Sequence, residues 1–502
     1  MSLNALALLP EIVLTLVGVL VMMAEPMIAP GKSRKPLGWL AILGFLGAIA
    51  ATLLQHHQVT HVSGTFTGFY NTVQIDGFSI FFHLLIASIA LVTLMASLDY
   101  FDPEHGITHA GEYFALVCFG AVGMMLMTCS VELLMVFIGL EISSISTYIL
   151  AGFRKGQAGA SESSLKYFLL GSFATAFFLY GIALIFGATG STSIGPIAAA
   201  LSTTTTPTLA ILAVAMVLIG LGFKVSAAPF HVWTPDVYQG APAPVVALMS
   251  TAPKAAAFAV LLRFLFNGTP ELRGHWVPMI AILAVLSMTI GNLGALLQKD
   301  VKRLLAYSSI AHAGYLLVAF TGMHHDAVSG ALFYSAAYAA MNGGALLVVA
   351  LLSGFNESIR TIDDFTGIAL KKPCLAALLS VFLVSLIGIP FTGGFFGKFY
   401  AFSGAIHNGY VWLAVVGLAN SGVACFYYLR LLAALYSRPV AETPAPAFRV
   451  SATAIVAVTV AAAAVLVLGI APNRILHIVQ TATPYTMPAA VALPPMVTAT
   501  PQ

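Results

Sequence analysis

From Leu3 to Ile470, apolar runs of bilayer-spanning length follow one another with only short polar gaps between them. A chain patterned this way cannot hide every run in one soluble core. Composition agrees: 59% of the 502 residues are hydrophobic and 8% are charged, against about 25% charged in a soluble domain. The deficit extends along the whole length, as in an all-α polytopic membrane protein. Fourteen spans are expected, at 3–24, 37–54, 77–98, 112–128, 131–152, 162–187, 208–240, 243–266, 277–297, 302–322, 327–354, 374–405, 411–436 and 450–470. The first lacks the basic start and small-residue cleavage site of a secretory signal and reads as a retained helix.

Charge placement fixes the expected orientation. With the N-terminus outside, fifteen of the 21 Lys and Arg fall in inner loops or their flanks, among them Lys32, Arg34, Arg154, Lys155, Lys302, Arg303 and Arg449. Three fall outside and three lie within spans. That asymmetry is the positive-inside pattern. One inner loop, DYFDPEHGITHAGE, holds no Lys or Arg. The formal charge of +3 and the lack of a basic cluster give no footprint for nucleic acid. The four cysteines are scattered through apolar runs without metal-ligand spacing. They read as small apolar packers, and no metal or cofactor site is expected.

Two spans, the seventh and the twelfth, exceed the ~17–25 residues a bilayer needs. Each contains a breaker: KVSAAPFHVW in one, IGIPFTGGFFGKFY in the other. Proline removes a backbone donor and clashes with the preceding turn. Each long span therefore reads as two half-helices joined by irregular backbone buried in protein. The Pro229-Phe230 and Pro390-Phe391 breaks lie 161 residues apart with five helices per interval. An odd number of spans inverts the second copy. The expected organisation is three helices (1–111), a five-helix repeat (112–266), its inverted copy (277–436), and a last helix with a short tail (437–502). Broken helices at matching places in inverted repeats mark the transport site in many transporters.

Charges inside the spans are costly, about 2.5–3.5 kcal/mol each at mid-bilayer on insertion scales. They therefore face a partner, a cavity or water. Glu141, Lys224, Lys254 and Lys398 are the cases here, with His312 as a polar companion. Structural roles compete with a proton relay. Glu141 could fix packing by pairing with a lysine, and Lys224 and Lys398 could cap half-helix C-termini. Lys254 is too central to snorkel, and Pro253 loosens its backbone. His312 divides evenly between core group and proton carrier. Glu11, Glu25, Asp76, Glu112, Glu132 and Asp236 lie near ends or breaks and read as structural or interfacial. A relay is expected to run from Glu141 and Lys224 through Lys254 to Lys398. The alternative is a scaffold in which these charges are packing pairs.

The stretches FIGLE, PFHVWTPDVYQGAPAPV, DVKRLLAYSSIAHAGYLL and GIPFTGGFFGKFY, spread over roughly 70–436, resemble the antiporter-like membrane subunits of respiratory complex I. Within that family, Tyr238 and Ser250-Thr251 stand where the L and M groups carry histidines, which favours the N group, the counterpart of mitochondrial subunit 2. The resemblance implies that Glu141 pairs with Lys224, that Lys254 is the central lysine and that Lys398 lies near the exit. His231, Trp233 and Pro235 match the motif after the first break.

The resemblance further implies a translocase subunit of NADH–quinone oxidoreductase in a bacterial inner membrane. Its partners would be other complex I subunits, the lipid bilayer and protons. NADH, FMN, iron–sulfur clusters and quinone would sit in those other subunits, with no redox site in this chain. A subunit of a Na⁺/H⁺ antiporter or a membrane-bound hydrogenase is the alternative within the same superfamily.

Overall fold

The computed structural model describes residues 3–29, 31–62, 64–101, 109–154, 156–204, 207–322, 324–438 and 450–482. Lys155, Arg449, residues 102–108 of the loop without Lys or Arg, and the tail beyond 482 lie outside them. Twelve of the described helices are long and apolar enough to cross a membrane. Two further expected spans differ from these for physical reasons, given below.

The N-terminal part holds α1 (Leu3–Ala7), α2 (Leu9–Ala24), α3 (Lys35–His61) and α4 (Gly77–Ser97). The first expected span is thus two helices parted at Leu8, where Pro10 sits in the first turn of α2 and lacks a donor. An antiparallel hairpin, β1 (Phe66–Gly68) and β2 (Val73–Ile75), precedes α4 and was not expected from the sequence. Asp76 then starts α4 through a capping box with Ser79.

Next come α5 (Ala110–Cys129), α6 (Leu133–Ala151), α7 (Ala158–Thr189), the short α8 (Ile194–Leu201), α9 (Thr208–Val225), α10 (Trp233–Gly240), α11 (Ala243–Met249) and α12 (Ala252–Leu262). The second set is α13 (Arg273–Leu296), α14 (Val301–Ala319), α15 (His324–Ser353), α16 (Ile368–Lys371), α17 (Pro373–Ile387), α18 (Gly393–His407) and α19 (Val411–Tyr436). Helices α20 (Ala452–Ile470) and α21 (Pro472–Ala482) follow. Helix α14 is less apolar because it carries Lys302, Arg303, Ser308, Ser309 and His312, and nearly all of it is buried. It is a polar helix at the centre of the bundle.

The internal repeat is visible in backbone pairing. An isolated antiparallel bridge joins Glu132 to Ser193, and another joins Asp300 to Thr361, each partner displaced by 168 residues. The hydrogen bonds Leu133 N to Thr192 O and Ile194 N to Val131 O recur as Val301 N to Arg360 O and Ile362 N to Lys299 O. Glu132 and Asp300 also cap their helices alike, accepting from the amide three residues on. The same displacement relates two close helix crossings. A Cβ on Gly123 would meet Ser143 N at 2.5 Å, and one on Gly291 would meet Ala311 N at 2.5 Å. Glycine at these positions lets backbones approach, as small residues do between membrane helices. Five spans separate the two bridges, so they close opposite faces of the bundle.

Both expected breaks are present. Helix α9 stops at Ser226, in the left-handed region with φ 62°, and α10 resumes at Trp233. Helix α17 stops at Gly388 with φ 91°, and Phe391 follows with φ 68°. The second break leaves two half-helices of 15 residues each, too short to span alone, whereas α9 keeps 18 residues before the first break. A third break, between α11 and α12 at Ser250-Thr251, lies one turn before Lys254. Pro253 cannot donate to the preceding turn, and Thr251 N bonds Leu248 O while Thr251 Oγ1 donates to Ala247 O at 2.7 Å. Span length gave no sign of it, because this span has 26 residues.

The cysteines only partly follow expectation. Cys118 is buried among apolar groups, Cys425 is half-buried and Cys374 is exposed. Cys129 is buried beside Glu11 and His83.

Candidate functional site

The first lysine ends the first half-helix. Lys224 lies in the last turn of α9 and is 6% exposed. A cation suits this end of a helix, where carbonyls are unpaired. Its ammonium stands over the rings of Tyr148 at 5.1 Å and Tyr167 at 5.5 Å, an arrangement with cation–π attraction. Tyr148 occupies the space left by Gly171, where a Cβ would meet its hydroxyl at 2.0 Å. Glu141 is near enough to act on Lys224 electrostatically. Among the described residues, however, no carboxylate forms an ion pair with Lys224 within 4.0 Å. Glu141 Oε1 is buried with no hydrogen-bond partner. The two are poised at a distance rather than paired.

The post-break motif fixes the geometry of the next step. Trp233 stacks on Tyr167 with ring centroids 4.4 Å apart and donates to Phe223 O at 3.1 Å. It therefore ties α10 to the end of α9. Ala228 N, within the break, donates to Ser287 Oγ at 2.8 Å. His231 points a buried, unpartnered Nδ1 from the same segment. Asp236 leaves the axis altogether and pairs with Lys166 at 2.8 Å and Arg303 at 2.6 Å.

Lys254 is 2% exposed at the start of α12. Its ammonium donates to Ser309 O at 3.2 Å and also to Ser309 Oγ. That Oγ accepts from Tyr338 OH at 2.7 Å and lies 3.5 Å from Tyr238 OH. Ser309 is therefore the junction where α10, α12, α14 and α15 meet. Tyr238, noted in the sequence only as a family marker, faces Trp233 on its other side at 6.1 Å. Aromatic and hydroxyl groups thus fill the interval between Lys224 and Lys254.

His312, one turn beyond Ser309 on α14, continues the line. Its Nδ1 is 2.9 Å from Tyr334 OH and its Nε2 is 3.3 Å from Tyr428 OH. Its ring lies 5.5 Å from that of Tyr338 and 5.4 Å from that of Tyr315. Tyr315 in turn lies 5.0 Å beneath the ammonium of Lys398. Lys398 belongs to the second half-helix α18 but folds back over the break. It donates to Ile387 O at 2.8 Å, Leu386 O at 3.1 Å and Ser421 Oγ at 2.8 Å. The capping role foreseen for it is realised. Beside it opens a cavity of about 310 Å³ lined by Gly388, Phe399, Phe402, Ser403 and Ser421.

A buried ionic cluster that the sequence did not reveal gathers at the start of α14, which carries Lys302. Glu357 pairs with Lys302 at 2.7 Å and Arg154 at 3.1 Å. It also accepts from Tyr100 OH at 3.4 Å and Ala243 N at 3.2 Å. Burial alone would raise its carboxyl, but Lys302 and Arg154 outweigh burial and hold it below the usual carboxylate range. Its other two ionic members, Lys302 and Glu357, lie 148 and 203 residues from Arg154 in the chain.

All five candidate residues thus lie along one route, though Glu141 stands off from its expected partner. The hydroxyls that join the rest, on Tyr238, Ser309, Tyr338, Tyr428, Tyr315 and Ser421, were not singled out as relay groups. Their only sequence signal is an unusual density of Tyr and Ser in AYSSIAHAGYLL, YSAAYAA and FYY. Amines, imidazole and phenols are all proton donors and acceptors, so the arrangement is suited to passing protons between neighbouring groups.

A family described as the NADH:quinone oxidoreductase/Mrp antiporter transmembrane region matches residues 130–424. A protein of Koribacter versatilis named NADH-quinone oxidoreductase subunit N 2 is 51% identical over 88% of this chain and 91% of its own length. The subunit N 1 protein of Solibacter usitatus is 43% identical over 94% of this chain and 96% of its own. Among solved structures, a chain of respiratory complex I from Thermus thermophilus with bound aureothin superposes with a TM-score of 0.78, at 37% identity, over 93% of this chain and 98% of that one. A matched region that contains both broken helices and all the lysines of the line, with relatives this similar over nearly their full length, places the chain in the NADH:quinone oxidoreductase/Mrp antiporter membrane family, among its subunit N members.

Proposed function

We propose that this chain is the membrane-arm subunit of an NADH–quinone oxidoreductase that carries protons across the membrane, driven by NADH oxidation and quinone reduction in other subunits. The observation that carries the reading is the row of proton-bearing groups laid between two broken helices, with Lys254 bonded to Ser309, His312 bonded to Tyr428, and Lys224 and Lys398 joined to the row through aromatic rings. In this reading Glu141 sets the charge state of Lys224, Lys254 is the central store, and Lys398 hands the proton to the cavity beside it. His312 and the surrounding hydroxyls bridge Lys254 and Lys398. NADH, FMN, iron–sulfur clusters and quinone belong to the partner subunits.

The chain sits in a bacterial inner membrane with its N-terminus outside, which places the Glu357 cluster on the inner face. It divides into three leading helices (1–111), repeats at 112–266 and 277–436, and the last helix with its tail (437–502). The groups along the line are mainly amines, imidazole and phenols, which favour protons over Na⁺, an ion that binds through oxygens.

The test is Lys254→Ala in membrane vesicles holding the assembled complex. Quinone-linked proton pumping should fall at least tenfold while the content of complex stays unchanged. Normal pumping in that variant would refute the relay. Purification of the chain with flavin- and iron–sulfur-containing subunits supports the complex I reading, and purification with antiporter subunits alone defeats it.

A further inference from the structure

Away from the lysine line, three side chains with metal-binding donors converge inside the N-terminal part of the bundle. Glu11 lies in the first turn of α2, His83 in α4, and Cys129 is the last residue of α5. Their donor atoms all lie within 4.8 Å of one another. Exposure is 5% for Glu11 and 0% for both His83 and Cys129. No two of them are close in sequence, so spacing alone gave no metal signal.

The separations suit a shared ion. Glu11 Oε1 lies 3.5 Å from His83 Nε2 and 3.8 Å from Cys129 Sγ. Oxygen, nitrogen and sulfur ligands bound to tetrahedral zinc at about 2.0–2.3 Å stand roughly 3.3–3.7 Å apart. His83 Nε2 donates to Met125 O at 3.2 Å, a hydrogen bond that an ion held at that nitrogen would replace.

Charge points to a divalent ion. The neighbouring Asp76 and Arg263 form a two-point ion pair, at 2.7 and 3.0 Å, and so cancel each other. On binding, the Glu11 carboxyl and the Cys129 thiol would release their protons to solvent and together carry two negative charges, and a neutral imidazole adds none. One divalent cation makes the site neutral, the favourable state in a low-dielectric interior. An apolar lid seals it. Phe66, Val73 and Ile75 of the hairpin pack with Ala7, Ile80 and Leu126 around Cys129. Mixed oxygen, nitrogen and sulfur donors in a closed, dry setting favour a zinc-type ion over Mg²⁺ or Ca²⁺.

We propose that Glu11, His83 and Cys129 bind one divalent transition-metal ion of the zinc class, which pins α2, α4 and α5 together beneath the hairpin. The experiment is zinc titration of the purified intact complex, with zinc content and zinc-edge X-ray absorption measured for wild type, Cys129→Ser and the near-isosteric Glu11→Gln. Wild type should take up one more equivalent of Zn²⁺ than either variant, and the difference spectrum should show one sulfur at about 2.3 Å. Equal uptake in all three, or a difference spectrum without sulfur, overturns the proposal. If the variants fail to assemble, wild type alone decides. Retention of the equivalent with a mixed sulfur, nitrogen and oxygen shell supports the site, and absence of any tightly held equivalent overturns it.

Discussion

Lys398 reaches back across the break in its own span and donates to the carbonyl oxygen of Ile387 at 2.8 Å. The cation thus holds the two halves of the twelfth span together and also terminates the lysine line. Lys398→Leu should lose both roles, lowering the content of assembled complex as well as pumping. Lys398→Arg keeps the charge, and should restore assembly while leaving pumping several-fold low, because a guanidinium does not release its proton. Immunodetection of the complex and vesicle acidification, measured on the same membranes, separate the two effects.

Ser309 Oγ gathers Lys254, Tyr338 and Tyr238. Ser309→Ala removes that shared oxygen. Loss of one such hydrogen bond is worth about 1–1.5 kcal/mol, which converts to roughly a tenfold fall in pumping. Tyr338→Phe should cost less, since Ser309 remains for Lys254. Equal rates for wild type and Ser309→Ala would remove Ser309 from the route.

Glu357 neutralises two buried cations, Lys302 and Arg154. Glu357→Gln strands both, a loss of about 3–5 kcal/mol for a broken buried pair. Thermal unfolding of the detergent-solubilised complex should fall accordingly. The wild-type carboxyl is held below its ordinary value, so its stabilising effect is complete above that ordinary value. It is lost as pH falls through the lower folded value. Acid should therefore destabilise wild type more steeply than the variant.

Gly394 follows the second break, and a Cβ there would meet Ser385 O at 1.9 Å. The obstacle is backbone and cannot swing away. Gly394→Ala should push the half-helices apart at a cost of about 1–3 kcal/mol, seen as reduced complex in membranes. Gly422→Ala, with nothing within 4 Å of the added atom, is the silent control.

Much of this fold was legible in the sequence because the bilayer is a demanding solvent. Each span had to be apolar and about 20 residues long, and each charge within one had to have a reason. The breaks at Pro229 and Pro390 were visible as excess length. The break before Lys254 was not, because a span of ordinary length conceals it. The hairpin at 66–75 was too short to leave a pattern. Lysines and His312 stood out against an apolar background, whereas Ser309 and Tyr428 did not. Serine and tyrosine are common in membrane helices, and only the packing of α14 against α10, α12, α15 and α19 brings these hydroxyls to it. Glu141 and Lys224 show the opposite limit: the sequence pairs them, yet a gap remains between them.

The 168-residue displacement that carries Glu132 to Asp300 also carries Glu141 to Ser309. An inverted repeat is by construction indifferent to direction, since turning it over reproduces it. A conductor built of two identical halves would run equally well either way. Here Glu141 of the first copy lies near Lys224 of the same copy, whereas Ser309 of the second copy bonds Lys254 of the first. The bias of the device therefore resides in what the two copies do not share, and exchanging those two side chains is the smallest edit that addresses its polarity.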